Sequence, residues 1–393
     1  MNVMIIGGGV GGLCLAQGLK KAGVGVTVYE RDASQHFRGQ GWRLSLKEEG
    51  ADALRACLPA DLFELCVATA IRPATRMTFL DHLLAPKFGK PIPPLPHDRS
   101  FGVNRLTLRE ILLSGLEDVR RFGAEFVRYD LVDGGVRAHF ADGTSAVADL
   151  LVGADGTYSR VRRQLLPDAE VDDIGGFVYG RTPLTGQTLE WLPEVLLDTF
   201  NRVIAPDGRA MSVVTCRTRE PLPEAVARLS PSVRLTPMPD YLAWMVSAAE
   251  PGGWTVPGAE DPRAFREADG ETLHGLARQM IEDFHPAARR VVDEADAPAT
   301  FPVALRSARP VAPWPATRVT LLGDAIHSMS PGRGEGANTA LRDAQTLLRA
   351  LTAAASGQVS PLEAVRGYEA EMLDYGFAAV TASLSQPFMP RRS

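Results

Sequence analysis

The strongest constraint on the fold is a glycine run near the N-terminus. Residues Asn2 to Ile6 form a short apolar stretch of strand type. It enters Gly7-Gly-Gly9-Val10-Gly11-Gly12 and then an apolar segment with helical spacing, Leu13 to Ala22, stopped by Gly23. Val24, Val26 and Val28 alternate with other residues up to Glu30 and make a second strand. The pattern predicts a β-α-β unit. In Gly7-x-Gly9-x-x-Gly12 the glycines permit a tight turn, let the backbone approach a pyrophosphate and let the helix pack on its strand. The free N–H groups of the helix start face the anion. Glu30 stands 18 residues after Gly12, where a carboxylate can hold ribose hydroxyls. A free 2′-hydroxyl is implied, so FAD or NAD suits this site better than NADP.

A chain of 393 residues is long for one domain, and two or three are expected. With 45% hydrophobic and 23% charged residues it can bury a large core, which argues against disorder and against a disulfide scaffold. A net charge of −5 without any Lys/Arg run speaks against nucleic acid or an anionic membrane as partner. Cys14, Cys57, Cys66 and Cys216 form no C-x-x-C pair and no zinc spacing, so core thiols and no metal are expected. Neither a signal peptide nor a run near the roughly 18 apolar residues of a membrane span is visible. These features predict a cytoplasmic protein, monomer or homodimer, with a small-molecule partner.

Further along, Leu106 to Phe122 reads as an amphipathic helix stopped by Gly123, followed by strands around Asp133-Gly134-Gly135 and Asp142-Gly143 turns. Phe177 to Tyr179, Met211 to Cys216 and Tyr241 to Val246 read as strands of a separate sheet. Helices are expected over Gly270 to Phe284, Thr339 to Ala355 and Pro361 to Leu384, and loops over the proline-dense Pro86 to Pro96 and Pro221 to Pro239.

Two more strings carry chemistry. Asp149 to Ala154 is a buried strand running into Asp155-Gly156, with Ser159, Val161 and Arg162 following. The strand Val319 to Leu322 delivers Gly323-Asp324 at its carboxyl end. A glycine-rich loop then runs through His327 and from Pro331 by Gly334 and Gly336 to Asn338, where a helix begins that carries Asp343. Such a loop can lie flat against a planar ring, and the helix start can stabilise negative charge developing on it.

Gly7-x-Gly9-x-x-Gly12 with Glu30-Arg31, Arg105 in Val103-Asn-Arg-Leu-Thr-Leu108, Asp155-Gly156, and Gly323-Asp324 with Pro331 to Asn338 occur in one order. In that order the chain resembles the single-component FAD-dependent aromatic hydroxylases, the class A flavoprotein monooxygenases of p-hydroxybenzoate hydroxylase type. The resemblance spans nearly the whole chain. It implies an α/β fold: a Rossmann-like FAD-binding domain of glutathione-reductase type, an inserted, mostly antiparallel substrate sheet, and C-terminal helices. The FAD-binding domain would be discontinuous, over 1–72, 98–175 and 300–393, with the substrate domain and its cover sheet over 73–97 and 176–299. Gly7, Gly9, Val10, Gly11 and Gly12 would receive the pyrophosphate, Glu30 and Arg31 the adenosine ribose side, and Arg105 would contact FAD from a helix start. Arg43 in Gly41-Trp-Arg-Leu would lie near a mobile flavin. Asp324 would hold the ribityl or pyrophosphate part, and Asp155 would touch FAD or NAD(P)H. Pro331, Gly334, Gly336, Ala337 and Asn338 would face the isoalloxazine. Glu335 departs from the family, which often has a neutral residue there.

The activity implied is NADPH- or NADH-driven, O₂-consuming hydroxylation of an aromatic or polyketide-like compound through a flavin C4a-hydroperoxide. Baeyer–Villiger insertion or epoxidation on the same fold is the nearest alternative, and a flavin-dependent reductase a further one. The halogenase signature W-x-W-x-I-P is absent, since Trp254-Thr-Val-Pro257 matches only its end. An NAD-dependent dehydrogenase would not need the second glycine loop. No catalytic base is evident. Arg43, Arg181, Tyr179 and His327 are the candidates, with Tyr241 and Trp244 on the same strands. His82, His97, Arg306 and Trp314 are read as solvated or packing residues.

Overall fold

The computed structural model describes residues 1–34, 43–250, 252–258, 261 and 264–385. A five-stranded, all-parallel sheet holds, in spatial order, Val319–Leu321, Leu150–Gly153, Asn2–Ile6, Gly25–Glu30 and Arg120–Phe122. Val3 to Ile6 and Leu150 to Val152 are buried without alternation, as strands covered on both faces must be. The helices Val10–Lys21, Glu48–Cys57 and Gly336–Ala355 pack on one another, and Pro361–Leu384 packs on the last of these. A three-stranded antiparallel meander, Phe126–Val132, Gly135–Phe140 and Ser145–Ala148, turns at Gly134 and Gly143, both with positive φ.

The second body is a seven-stranded sheet in the order Phe301–Ala308, Val171–Pro183, Tyr241–Ser247, Ala210–Cys216, Thr199–Ile204, Arg76–Asp81 and Pro86–Pro91. All its pairings are antiparallel except Thr199–Ile204 with Arg76–Asp81. One face is sealed by helices Gly270–Met280 and Pro286–Asp293 over Val178, Val203, Met211, Val213, Leu242, Trp244 and Val246. The other face gathers Tyr179, Tyr241, Cys216, Ala243 and Ile71, with Phe177, Met238, Met245, Phe301 and Val303 beside them. A short antiparallel pair, Arg43–Leu46 with Phe101–Asn104, lies against this second face.

Four local expectations change. The helix expected to run to Phe122 ends at Leu113, because Ser114 is extended and Gly115 takes φ +77°; the chain then re-enters the parallel sheet as Arg120–Phe122. Gly115, not Gly123, is the stop. Pro86–Pro91 is an edge strand rather than loop, the one place in a sheet where proline is tolerated. Leu222–Leu229 is a helix inside the second proline-rich stretch, with Pro223 in its first turn, where no N–H is missed. The helix expected to reach Phe284 ends at Met280. The strands Val171–Pro183 and Phe301–Ala308 both belong to the larger sheet, so its share of the chain begins before residue 176 and extends past 299.

Candidate active site

The first glycine turn lies at the carboxyl edge of the parallel sheet, where open α/β sheets bind ligands. It opens on a groove of about 260 Å³ lined by Gly7, Gly8, Gly9, Glu30, Arg31, Arg109, Asp155 and Tyr158 among others. The glycines divide by what surrounds them. A Cβ on Gly7, already at φ +114°, would lie 2.3 Å from Ala154 O, and one on Gly12 would lie 2.4 Å from Gly7 O. A Cβ on Gly11 would press on Leu322, just past the strand Val319–Leu321, and on Ala340 of the neighbouring helix. Gly9 alone in the run has nothing within 4 Å of that position, and its backbone is extended. Three of these glycines therefore serve packing, while Gly9 faces the groove; Val10 is buried in the helix start.

Glu30 ends its strand with both carboxylate oxygens engaged: Gly8 N donates to Oε2 at 2.7 Å and Asp32 N to Oε1 at 2.9 Å. Arg109, on the helix Arg105–Leu113, brings Nη2 to 3.8 Å from Glu30 Oε2 and donates from Nε to Gly8 O at 3.2 Å. No sequence pattern singled Arg109 out, because it looks like any polar position of an amphipathic helix. Arg31 is exposed at the groove rim. Asp155 lines the same groove, but its carboxylate accepts from Ser159 Oγ at 2.5 Å, Arg160 N at 2.8 Å and Val161 N at 3.3 Å. It caps the short helix Arg160–Leu165. Burial pushes its pKa up against these bonds.

At the second turn Gly323 adopts φ +63°, so the chain turns sharply and Asp324 begins a short helix. Asp324 is exposed at this turn, yet enough protein surrounds it that burial raises its pKa, opposed by His327 and Arg105. Arg105 opens its own helix, whose start is capped by Asn104 Oδ1 accepting from Leu106 N and Thr107 N. The Arg105 guanidinium donates to no described residue; burial lowers its pKa and Asp324 counters that. Gly334 takes φ +67° and Gly336 begins the helix Gly336–Ala355, so its first N–H groups, from Gly336 to Asn338, have no partner one turn back. Pro331 starts an exposed single turn before it. The Asn338 side chain clamps the loop: Nδ2 donates to Ser45 O and Gly334 O at 2.9 and 2.7 Å, and Oδ1 accepts from Lys47 N at 2.8 Å. Glu335 is ion-paired with Lys47, with Arg333 at 3.9 Å, which is where the family's departure goes.

His327 is excluded as a base in contact with substrate. It is fully buried behind the loop, its Nε2 lies 2.7 Å from Asp343 Oδ2, and helix Pro361–Leu384 approaches it at Gly376, where a Cβ would lie 2.6 Å from the ring. Asp343 also accepts from Gly323 N and from Tyr375 OH, each at 2.7 Å, so it ties the turn to two helices. Arg181 is ion-paired to Asp296 at 2.8 Å. Tyr179 packs against Phe177 and Phe301, with Arg43 and Arg105 close enough to act on its phenol, though burial dominates and raises its pKa. Arg43 donates to Ser45 Oγ at 2.7 Å and keeps its buried Nε without an acceptor; Gly41 and Trp42 of its motif lie outside the described residues. Tyr241 OH accepts from Asn104 Nδ2 at 3.0 Å. Trp244 does not join this face: strand alternation turns it to the other side, beneath the helices, where Nε1 donates to Thr182 Oγ1 at 3.1 Å. His82 packs edge-on to Phe284, His97 is exposed, Arg306 pairs with Asp173, and Trp254 stacks on Phe265. Trp314 packs on the main core.

A family model described as an FAD binding domain matches residues 1–45 and 255–383. An FAD-dependent monooxygenase from Emericella nidulans is 32% identical, the match covering 90% of this chain and 87% of that one. The chain belongs to the FAD-dependent monooxygenases. A dual O-methyltransferase/FAD-dependent monooxygenase from Phaeosphaeria nodorum is likewise 32% identical over 95% of this chain, but that match covers only 43% of the relative. The chain thus spans less than half of such two-function proteins. Among solved structures, a candidate FAD-containing monooxygenase from Photorhabdus luminescens superposes with a TM-score of 0.80 at 32% identity, covering 98% of this chain and 96% of that one. Klebsiella pneumoniae HpxO, solved with FAD and uric acid, shares the fold at a TM-score of 0.75 and 22% identity, over 98% and 87% of the two chains.

Proposed function

We propose that this monooxygenase binds FAD across its two glycine turns and inserts one atom of O₂ into an aromatic or polyketide-like small molecule, with NADPH or NADH as reductant. The net reaction is substrate, O₂, NAD(P)H and a proton giving hydroxylated substrate, water and NAD(P)⁺. The carrying observation is the open approach to Gly9 on the groove, in a glycine run whose other members are packed against protein. The donor set fits the cofactor. Gly9 and the N–H groups of the helix start suit the pyrophosphate, and Glu30 with Arg109 suits the adenosine ribose. Arg105 and Asp324 suit the middle of the molecule, and the N–H groups of Ala337 and Asn338 suit the pyrimidine edge of the ring.

Bound flavin supplies hydride acceptance and oxygen activation. The protein supplies shape and charge. The aromatic face around Tyr179 and Tyr241 orients a planar substrate and excludes water. Its phenols and the Cys216 thiol, pushed up to about 11 by burial, keep their protons at neutral pH. Arg43 and Arg105 stand beside them as positive charge that favours an ionised substrate hydroxyl. We place the protein in the cytoplasm as a monomer or homodimer, and its four buried, unpaired cysteines suit a reducing compartment.

The test is reconstitution with FAD, followed by NAD(P)H oxidation under O₂ with aromatic acids and polyphenols, and mass analysis of the product. A yellow protein and a product gaining one oxygen are expected. Protein that stays colourless with FAD, or a product gaining two hydrogens, overturns the reading. Product NMR separates hydroxylation from Baeyer–Villiger insertion or epoxidation, which give the same mass.

A further inference from the structure

One cross-strand row on the Tyr179 face of the large sheet holds a cation that no carboxylate among the described residues answers. Directly paired residues share a face, and the registers give the row Phe88, Phe79, Arg202, Ser212, Met245, Tyr179, Phe301. The Arg202–Ser212 step follows from the flanking pairs Phe200–Val214 and Val203–Met211. Tyr179 fixes which face this is, since it packs with Tyr241, Cys216 and Phe301 opposite the helix-covered side. Within the row Arg202 is the sole charge.

No carboxylate among the described residues pairs with Arg202. Its one hydrogen bond there is a long one from Nη1 to Ser212 Oγ, 3.4 Å, and its Nε is sealed from solvent with no acceptor. Burial alone pulls its pKa down, to about 10, so it remains a cation at neutral pH. A half-buried guanidinium with no carboxylate partner and a sealed Nε is costly, and a bidentate carboxylate is what its planar fork matches. At about 4.8 Å per strand, three steps separate it from Tyr179 by about 14 Å, comparable to the length of a few fused rings.

We propose that Arg202 is the anion-recognising residue of the substrate site, taking a carboxylate, or an equally acidic enolate, at the end of an extended aromatic substrate whose reacting ring lies near Tyr179. The inference rests on the monooxygenase reading. It names an acidic, elongated substrate class and a specificity-determining residue.

The probes are 3-hydroxy-2-naphthoic acid and 2-naphthol, which differ by the carboxylate, titrated into FAD-loaded protein and followed by flavin absorbance and by thermal shift. Wild type is expected to bind the acid at least about 10-fold more tightly than the naphthol. Arg202→Met should erase that preference while leaving naphthol binding and FAD content unchanged, and Arg202→Lys should restore part of it. Equal binding of the two probes by wild type, or a preference that survives in Arg202→Met, overturns the proposal. Loss of NADPH-driven flavin reduction in Arg202→Met with acid binding intact overturns it too, because the cation would then serve the reductant. Failure of wild type to retain FAD would count against the monooxygenase reading itself, while thermal shift on the unloaded protein still reads the acid preference. A circular-dichroism melt confirms that each variant folds.

Discussion

Gly9 and Gly12 occupy one motif, yet their surroundings predict opposite outcomes for the same substitution. A Cβ on Gly9 meets no protein atom within 4 Å, and its φ of −80° suits any residue. Gly9→Val should therefore melt within about 0.5 kcal/mol of wild type, while FAD affinity, read by fluorescence titration, falls at least tenfold. Gly12→Val drives a side chain into Gly7 O at 2.4 Å and should lose stability outright, on the order of 1–3 kcal/mol. Unchanged FAD affinity in Gly9→Val would show that the groove is not the cofactor site. Asp324→Ala should weaken FAD retention on gel filtration without unfolding, since no described group hydrogen-bonds to it. At this scale the motif residues were legible, because chemistry restricts the residue type at each position. Arg109 and Lys47 were not, because a polar residue on or just before a helix looks the same in sequence whether it faces water or a turn brought from 100 or more residues away.

Strands and helices were legible where their periodicity was long, and misread where a short element hid among prolines or a glycine stopped a helix early. The Trp244 misassignment is instructive. Tyr179, Arg181, Tyr241 and Trp244 lie on neighbouring strands, but facing depends on register, and only pairing reveals that Trp244 lies opposite Gly180, whose missing side chain makes room for the indole. Trp244→Phe should cost about 1–3 kcal/mol in a denaturant melt while leaving the KM for any aromatic substrate unchanged. A second element-scale prediction concerns the last helix. Glu369 on Pro361–Leu384 is buried beneath the strand Val319–Leu321, accepts from Thr320 Oγ1 at 2.8 Å, and is pushed up to about 7 by burial. The folded state thus holds its proton where the unfolded state has released it, and the stability present below about 4.5 is lost as pH rises through 7. Glu369→Gln keeps the acceptor and should remove that slope, leaving the variant more stable than wild type at pH 8 by on the order of 2–3 kcal/mol. Parallel stability–pH curves for the two proteins would show that Glu369 is not the titrating group.

At the scale of the whole molecule, the proposed cofactor residues come from stretches far apart in sequence: residues 7–12 and 30, 105–109, and 323–338. They meet because a parallel sheet puts the carboxyl ends of all its strands on one edge. The strands Asn2–Ile6 and Val319–Leu321 flank Leu150–Gly153, and each of the two ends in a glycine turn. A ligand spanning both turns binds only the folded state, so it should stabilise the molecule by mass action, about 2.7 kcal/mol at one hundred times its Kd. For a chain of this size that is a rise of a few degrees in melting temperature. Because the contacts divide between the two turns, Gly9→Val and Asp324→Ala should each lower the FAD-induced shift, and the double variant should abolish it. NAD should give no comparable shift, since it would reach only the first turn. An equal rise with NAD, or a full rise with FAD in the Asp324→Ala variant, would mean that the second glycine loop does not share the cofactor.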